Sequence, residues 1–199
     1  MNPPAGTRTP DSTRSSLPVD AGRQDGTLHN PDPTRILAID PGNTESGWVL
    51  IDPTDCQPIE FGKTENSKLR QLILCDSPLV DADLVVIEMV ASYGMAVGKD
   101  VFGTCVWIGK FAEAVRGNWY PFIEPKLVYR RDIKLHHCHN PRAKDANITQ
   151  ALVDRFAPGE PNRGKGTKAA PGWFYGFKAD IWQAYALAVY IADTRSSNA

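Results

Sequence analysis

The chain has 199 residues, with 22 Lys and Arg against 23 Asp and Glu, and 42% of its residues are hydrophobic. This length suits one globular domain with or without a tail. Its longest apolar runs fall far short of the roughly 20 residues that span a bilayer, which excludes a membrane protein. There is no basic start followed by an apolar run, so we expect no secretory signal and a cytoplasmic location. The four cysteines form no C-x-x-C pair and are expected to be reduced thiols.

The first 34 residues differ in composition from the rest of the chain. They are rich in Pro, Ser, Thr and Gly and contain almost no large apolar side chain. Such a stretch buries too little surface to offset the entropy of ordering it. We therefore predict a disordered tail at 1–34 and a folded domain at 35–199.

Charge is unevenly distributed within the predicted domain. Residues 35–125 carry seven basic and thirteen acidic side chains, whereas residues 126–178 carry eleven basic and four acidic ones. A basic stretch of this kind is typical of a surface that faces an anion, and nucleic acid is the commonest large anion. The alternative is an ordinary solvated surface.

Strand and helix patterns alternate after an initial hairpin, whose first strand ends in Asp40. A short β-branched run ends at Glu88 and is typical of a buried parallel strand. In chain order, we predict strands at 35–39, 47–51 and 59–63, a helix at 68–75, a strand at 84–87, a helix at 95–115, a strand near 122–124, a helix at 143–156, a Gly/Pro/Lys-rich loop at 157–177 and a helix at 178–193. This order indicates an α/β fold with a mixed central sheet flanked by helices.

Acidic side chains end the two most apolar strands. Asp40 and Glu88 stand at carboxyl ends of strands, where open α/β sheets form ligand sites. A carboxylate beside a buried strand needs a partner, and a divalent cation with oxygen ligands satisfies two at once. Asp180 and, one turn later, Gln183 offer further oxygens from the last helix. Each acid alone also fits an ordinary turn, salt-bridge or helix-capping role.

Three segments together resemble the RuvC-type Holliday-junction resolvases, particularly their smaller phage-borne relatives in the RNase H-like superfamily. They are Ile36–Trp48, Val85–Glu88 and Asp180–Ala188, and the resemblance extends over residues 35–193 in the same order of elements. Residues 143–156 also resemble the helix that precedes the last acidic element of the family. The resemblance implies an RNase H-like fold.

The resemblance also implies a catalytic metal site. Asp40, Glu88 and Asp180 would bind Mg2+, with Mn2+ as an alternative, at two ions per active site. The cellular enzymes generally have a second acid where this chain has Gln183, whose amide offers an oxygen but no charge. Asp145 is a candidate substitute, although helix N-capping is the favoured role for it. Lys178 would neutralise charge on the scissile phosphate, unless it is simply solvated.

The implied activity is that of a crossover-junction endodeoxyribonuclease of a bacterial cell or a phage-infected host, which acts in DNA recombination and repair. It hydrolyses branched DNA and leaves 5′-phosphate and 3′-hydroxyl ends. A two-fold symmetric junction needs paired cuts, which implies a homodimer, with the helix at 95–115 as the expected interface. The basic residues expected to contact DNA phosphates are Lys126, Arg130, Arg131, Lys134, Arg142, Lys144, Arg163, Lys165 and Lys168.

Two local patterns admit more than one interpretation. The aromatic residues 173–175 either wedge against unstacked bases or pack into the core, and core packing is favoured. The run from His136 to His139 contains zinc-ligand types, but adjacent residues do not easily converge on one tetrahedral ion. We expect a polar loop there.

Two other functions remain open. The segment Asp40–Thr44 also resembles the phosphate loop of the actin-like ATPase and sugar-kinase superfamily, but that fold needs two lobes and about 165 residues follow the predicted tail. The second alternative is a junction-binding protein whose nuclease activity has weakened. The neutral Gln183 is consistent with this alternative.

Overall fold

The computed structural model describes residues 35–75, 77, 79, 82–92, 94, 96–118 and 123–196. The predicted tail at 1–34 lies outside these residues. The strands are β1 (Ile36–Asp40), β2 (Glu45–Ile51), β3 (Pro58–Glu65), β4 (Leu84–Met89) and β5 (Lys126–Tyr129). The helices are α1 (Asn66–Leu74), α2 (Lys99–Asn118), α3 (Arg130–Cys138), α4 (Asp145–Phe156) and α5 (Ala179–Ser196), and a short 3-10 turn covers Pro161–Gly164.

The five strands form one mixed sheet in the order β3-β2-β1-β4-β5. β1, β2 and β3 form an antiparallel meander, whereas β4 is parallel to β1 and β5 is parallel to β4. Ile39 of β1 pairs with Ile87 of β4, so that Asp40 and Glu88 follow side by side at the same edge of the sheet. The predicted α/β fold with a mixed central sheet is confirmed.

Helices cover both faces of the sheet. Because side chains alternate along a strand, Ile36 and Ala38 of β1 pack under α3, α4 and α5, while Leu37 and Ile39 pack under α1 and α2. α5 is buried almost all round its surface, which explains why its sequence is apolar without a polar stripe. Burying each large side chain stabilises the fold by about 1.5–3 kcal/mol. α5 is therefore firmly held across the sheet, and its first turn lies beside the end of β1.

The strand predicted near 122–124 is misplaced. Residues 123–125 have no regular structure and β5 begins at Lys126, while Phe122 lies outside the described residues. Pro125 has no backbone N–H to donate to a neighbouring strand, so the strand begins directly after it.

The polar loop expected at His136–His139 is also wrong, because His136, His137 and Cys138 form the last turn of α3. His136 Nε2 lies 2.7 Å from a carboxylate oxygen of Asp193 on α5, and His137 Nε2 donates to the Ala186 carbonyl at 2.8 Å. Burial lowers the pKa of His137 to about 4, so this ring is neutral at physiological pH. These histidines attach α3 to α5. Among the described residues no group of three His, Cys, Asp or Glu side chains is placed to hold a metal ion.

The loop at 157–177 folds back on itself before α5. The Phe174 N–H donates to the Gly164 carbonyl at 2.9 Å, and Phe174 is fully buried. Trp173 stacks on Phe156 and donates to the Tyr185 hydroxyl at 3.0 Å. Core packing of Trp173 and Phe174 is confirmed, and Tyr175 of this aromatic run is the exposed member.

The remaining predicted helices agree with the structure to within a few residues, except at the start of α2. Residues 96–98 are not helical and α2 begins at Lys99, while Met95 lies outside the described residues. All four cysteines are free thiols. In the described part of the chain, no helix combines the length and the apolar character needed to cross a membrane.

Candidate active site

An open cleft of about 640 Å³ lies at the carboxyl ends of β1 and β4, beside the first turn of α5. It brings together the acids that end the two strands, the acids that begin α4 and α5, and basic side chains from the loop before α5. The cleft is lined by Asp40, Glu88, Arg130, Asp145, Ala146, Thr149, Arg163, Lys165, Lys178, Ala179, Asp180, Trp182 and Gln183. Every residue that the sequence analysis assigned to the metal site, together with Lys178, is in this list.

Negative charge is crowded at the base of the cleft. Burial raises the pKa of Asp40 well above its ordinary value, and the nearby carboxylates of Glu88, Asp180 and Asp145 raise it further. Burial also raises the pKa of Glu88, a shift that Arg130 partly opposes. Carboxylates in this situation are stabilised by a cation that all of them can approach.

Two cations of the chain itself already contact these acids. Arg130 Nη1 lies 2.8 Å and 3.1 Å from the two carboxylate oxygens of Glu88, and Nη2 lies 2.9 Å from Asp145. Lys63 Nζ of β3 lies 2.7 Å from Asp180. Sequence analysis assigned Arg130 to DNA phosphates and did not identify Lys63. The strand register explains why Lys63 lies near the acids. Lys63 pairs with Gly47 in the sheet, and Gly47 pairs with Asp40.

Gln183 supplies the clearest sign of an additional ligand. The residue is 9% exposed, and its side-chain Oε1 has no hydrogen-bond partner within the described residues. A buried amide oxygen without a partner costs free energy unless a ligand or water satisfies it. Gln183 Oε1 and the carboxylates form an all-oxygen donor set, which suits Mg2+ or Mn2+. The chemistry of these donors therefore suits a divalent cation, although in the described residues, with Arg130 on Glu88 and Lys63 on Asp180, no three acids already surround one point.

Comparison with known proteins identifies the fold. The Thermus thermophilus RuvC structure matches with a TM-score of 0.57 and 14% sequence identity, over 82% of this chain and 96% of that one. T. thermophilus RuvC in complex with Holliday junction substrate matches with a TM-score of 0.53 and 12% identity over the same shares. The fold is RuvC-like. No protein-family model and no curated protein sequence matches the chain. The likeness to the phage-borne branch stays a prediction.

Within this RuvC-like fold, Asp145 does not have the capping role that the sequence favoured. It is the first residue of α4, and its carboxylate contacts Arg130 and, at 3.9 Å, Lys134. The N-terminus of α4 is organised instead by Asn147, whose side-chain oxygen accepts a hydrogen bond from the Lys144 N–H. Asp145 is thus a fourth acid of the cleft.

The basic residues fall into three groups on the RuvC-like fold. Arg163, Lys165 and Lys178 line the cleft beside the acids. A second cleft of about 510 Å³ is lined by Arg130, Arg131, Lys134, Pro141 and Arg142, and Arg130 is common to both. The exposed residues Lys126, Lys144 and Lys168 line neither cleft. Basic side chains therefore continue from the acidic centre along the surface at α3.

Proposed function

We propose that this chain is a divalent-metal-dependent endonuclease that cuts branched DNA such as Holliday junctions. The observation that carries this proposal is the convergence of Asp40, Glu88, Asp180 and the unpartnered Gln183 oxygen in one cleft with basic walls. Metal-dependent phosphodiester hydrolysis requires acidic side chains that bind a cation next to basic side chains that bind phosphate. The RuvC-like fold supports the same function, and one of the RuvC structures it resembles is a complex with Holliday junction substrate.

The residues divide the chemical work between binding the cation and binding the phosphate. Asp40, Glu88, Asp180 and Gln183 would hold Mg2+ or Mn2+ through their oxygens. A bound divalent ion supplies hydroxide at neutral pH and stabilises charge on the phosphate. Lys178, which lies in the cleft two residues before Asp180, offsets the negative charge of the scissile phosphate. The products carry 5′-phosphate and 3′-hydroxyl ends.

The remaining basic residues position the DNA. Arg163 and Lys165 approach the backbone from the loop before α5, and Arg131, Lys134 and Arg142 extend this contact along the second cleft. Lys126, Lys144 and Lys168 are exposed and complete the set. Contacts to phosphate carry no sequence information, so we expect binding to depend steeply on salt concentration.

The test is cleavage of a labelled synthetic four-way junction, beside a linear duplex of matching sequence, in Mg2+, Mn2+ or EDTA. We expect paired nicks at the junction with either metal, intact duplex, and no cleavage in EDTA. The 5′ ends of the products should accept ligation without added phosphate. Tight junction binding without cleavage in either metal would identify a binding protein, the alternative with which the neutral Gln183 is also consistent.

Cutting without preference for the junction would instead point to a general nuclease. Absence of both junction binding and junction cleavage would favour the actin-like ATPase and sugar-kinase superfamily instead. Those proteins need a second lobe, and the described residues contain a single five-stranded sheet.

A four-way junction has two-fold symmetry, so we also propose that the protein acts as a homodimer through α2. Ile108 and Ala112 of this helix are buried in the domain's own core and leave the opposite face of the helix for a partner. That face carries Phe102 and Val106, which are 60% and 56% exposed and one turn apart. Large exposed apolar side chains one turn apart are typical of an interface.

We expect Phe102→Glu to convert a dimer into a monomer, because burying a carboxylate in an apolar contact is strongly unfavourable. The dimer dissociation constant should rise by at least about 30-fold, as for loss of an interface hot spot. Sedimentation equilibrium measures this directly. Leu135→Glu is the matched control, since Leu135 is 48% exposed on α3, away from α2. A monomeric wild-type protein, or an unchanged Phe102→Glu dimer, would contradict the proposed interface.

A further inference from the structure

Arg130 is placed between two acids of the candidate active site. It begins α3 two residues after Val128, which pairs with Glu88 in the sheet, so the backbone directs it to the end of β4. One guanidinium nitrogen contacts both oxygens of Glu88, and the other terminal nitrogen contacts Asp145. The side chains of Arg130 and Glu88 are 23% and 11% exposed, so this pair is largely shielded from water. A planar guanidinium that joins two carboxylates does the same electrostatic work as a bridging cation.

The charges of the cleft limit how many further cations it needs. Asp40, Glu88, Asp145 and Asp180 carry four negative charges when ionised, and Arg130 and Lys63 contact three of them directly. Lys134 lies 3.9 Å from Asp145 as a third cation, and Lys63 is shared with Glu45 at 3.4 Å, so the chain's own cations offset part of this charge and leave less of it for divalent ions. Asp40 takes part in none of these ion pairs. Burial and the neighbouring carboxylates raise its pKa.

The remaining oxygens of the cleft come from the end of β1 and the first turns of α5. Gln183 is one turn along α5 from Asp180, and its buried Oε1 is unpartnered in the described part of the chain. Where the related cellular enzymes generally have an acid, this neutral amide adds a ligand without adding charge. With an amide in place of one acid, and with an arginine on Glu88, the cleft has less negative charge available to attract a second ion.

We propose that Arg130 replaces one of the two metal ions that the family resemblance implies, so that the site holds a single divalent cation through Asp40, Asp180 and Gln183. This inference rests on the proposed nuclease function and specifies how the site is charged. Glu88 and Asp145 then act through Arg130, which narrows the ligand set of the proposed function to Asp40, Asp180 and Gln183. Asp180 is kept as a ligand because its pair with Lys63 is the more exposed one, at 36% and 40% against 11% and 23% for Glu88 and Arg130. Arg130 is a positioning residue that holds these two acids and offsets one of their two charges whether or not the ion is bound.

The number of ions can be measured without any cleavage, by titrating the full chain with Mn2+ and following free Mn2+ by EPR and heat by calorimetry. The wild-type protein should bind about one ion per chain. Arg130→Gln frees Glu88 and Asp145 and should bind about two. The matched control Arg131→Gln, which alters the neighbouring exposed arginine, should still bind one. Two ions in the wild type, or one in folded Arg130→Gln, would overturn the inference and leave the nuclease proposal standing.

Removing Arg130 leaves Glu88 buried without its partner, which is strongly destabilising, so a second pair of variants makes the test independent of that variant's folding. Asp180→Asn should weaken Mn2+ binding by about tenfold or more, as expected for damage to a metal site. Asp145→Asn should keep the one-ion stoichiometry and weaken Mn2+ binding far less than Asp180→Asn does, because it removes a nearby charge but no ligand. Weakening by Asp145→Asn equal to that by Asp180→Asn would overturn the inference. No Mn2+ binding by the folded wild type would overturn both this inference and metal-dependent cleavage.

Discussion

Asp40→Asn is expected to abolish junction cleavage while junction binding is retained. Asp40 ends β1 at the base of the cleft, and replacing its carboxylate by an amide removes the negative charge of this ligand without changing the shape of the side chain. We expect the single-turnover cleavage rate to fall by at least about 100-fold, as for other losses of electrostatic stabilisation in a transition state. Affinity for the junction, measured by fluorescence anisotropy in EDTA, should stay within a few fold of wild type because the basic residues are untouched.

The same variant should be more stable than the wild type when no metal is present. Burial and neighbouring carboxylates raise the pKa of Asp40 in the folded state above its value in the unfolded chain. Between these two pKa values the folded state binds more protons, so the wild type loses stability as pH rises through this window, and Asp40→Asn does not. Asp40→Asn should therefore raise the melting temperature at neutral pH, by an amount that shrinks as the pH is lowered.

Asp154→Asn is the matched control for both measurements, because Asp154 lies exposed on α4 and accepts a hydrogen bond from Gln150 outside the cleft. It should cut junctions at the wild-type rate and melt at nearly the wild-type temperature. If Asp40→Asn still cleaves at the wild-type rate, Asp40 has no part in catalysis. If it loses binding and stability together, its carboxylate is a structural group.

Gly47→Ala is expected to damage both the fold and the site. Gly47 pairs with Asp40 across the first hairpin, and α5 packs directly on it. A Cβ atom at this position would lie 2.5 Å from the Asp180 carbonyl oxygen and 2.6 Å from its carbonyl carbon, both of which are backbone atoms that cannot turn away. Relieving this overlap moves the first turn of α5 off the sheet, and Asp180 moves with it. We expect a loss of about 1–3 kcal/mol in the free energy of unfolding.

Chemical denaturation measures that loss, and junction cleavage by the variant under conditions where it remains folded measures the effect on the site. Gly117→Ala is the control, since a Cβ there meets nothing within 4 Å on α2. That change should be neutral or should stabilise the protein by up to about 1 kcal/mol, because alanine favours helix more than glycine does. A Gly47→Ala protein that is as stable and as active as wild type would show that α5 does not need this close approach.

Local sequence was sufficient to identify most of the architecture. The apolar runs that end in Asp40 and Glu88 predicted the central strands, because apolar runs of that length bury both faces in a sheet. The motif at Asp180 and Gln183 was correctly assigned to the start of the last helix. α3 was missed because Ile133 is its one buried residue, so its sequence has too little apolar periodicity to indicate a helix.

Residue type and order along the chain thus predicted the sheet, the last helix and the acids at the strand ends, because these depend on short-range periodicity and on where strands stop. Contacts between distant residues required the folded chain. The Arg130 pairs with Glu88 and Asp145, and the Lys63 pair with Asp180, join elements far apart in sequence. They follow from the register of β3 and β5 and from the close packing of α5 on Gly47, neither of which a local pattern encodes. Tertiary packing therefore decides which acids of the cleft are paired with a basic side chain of the chain itself.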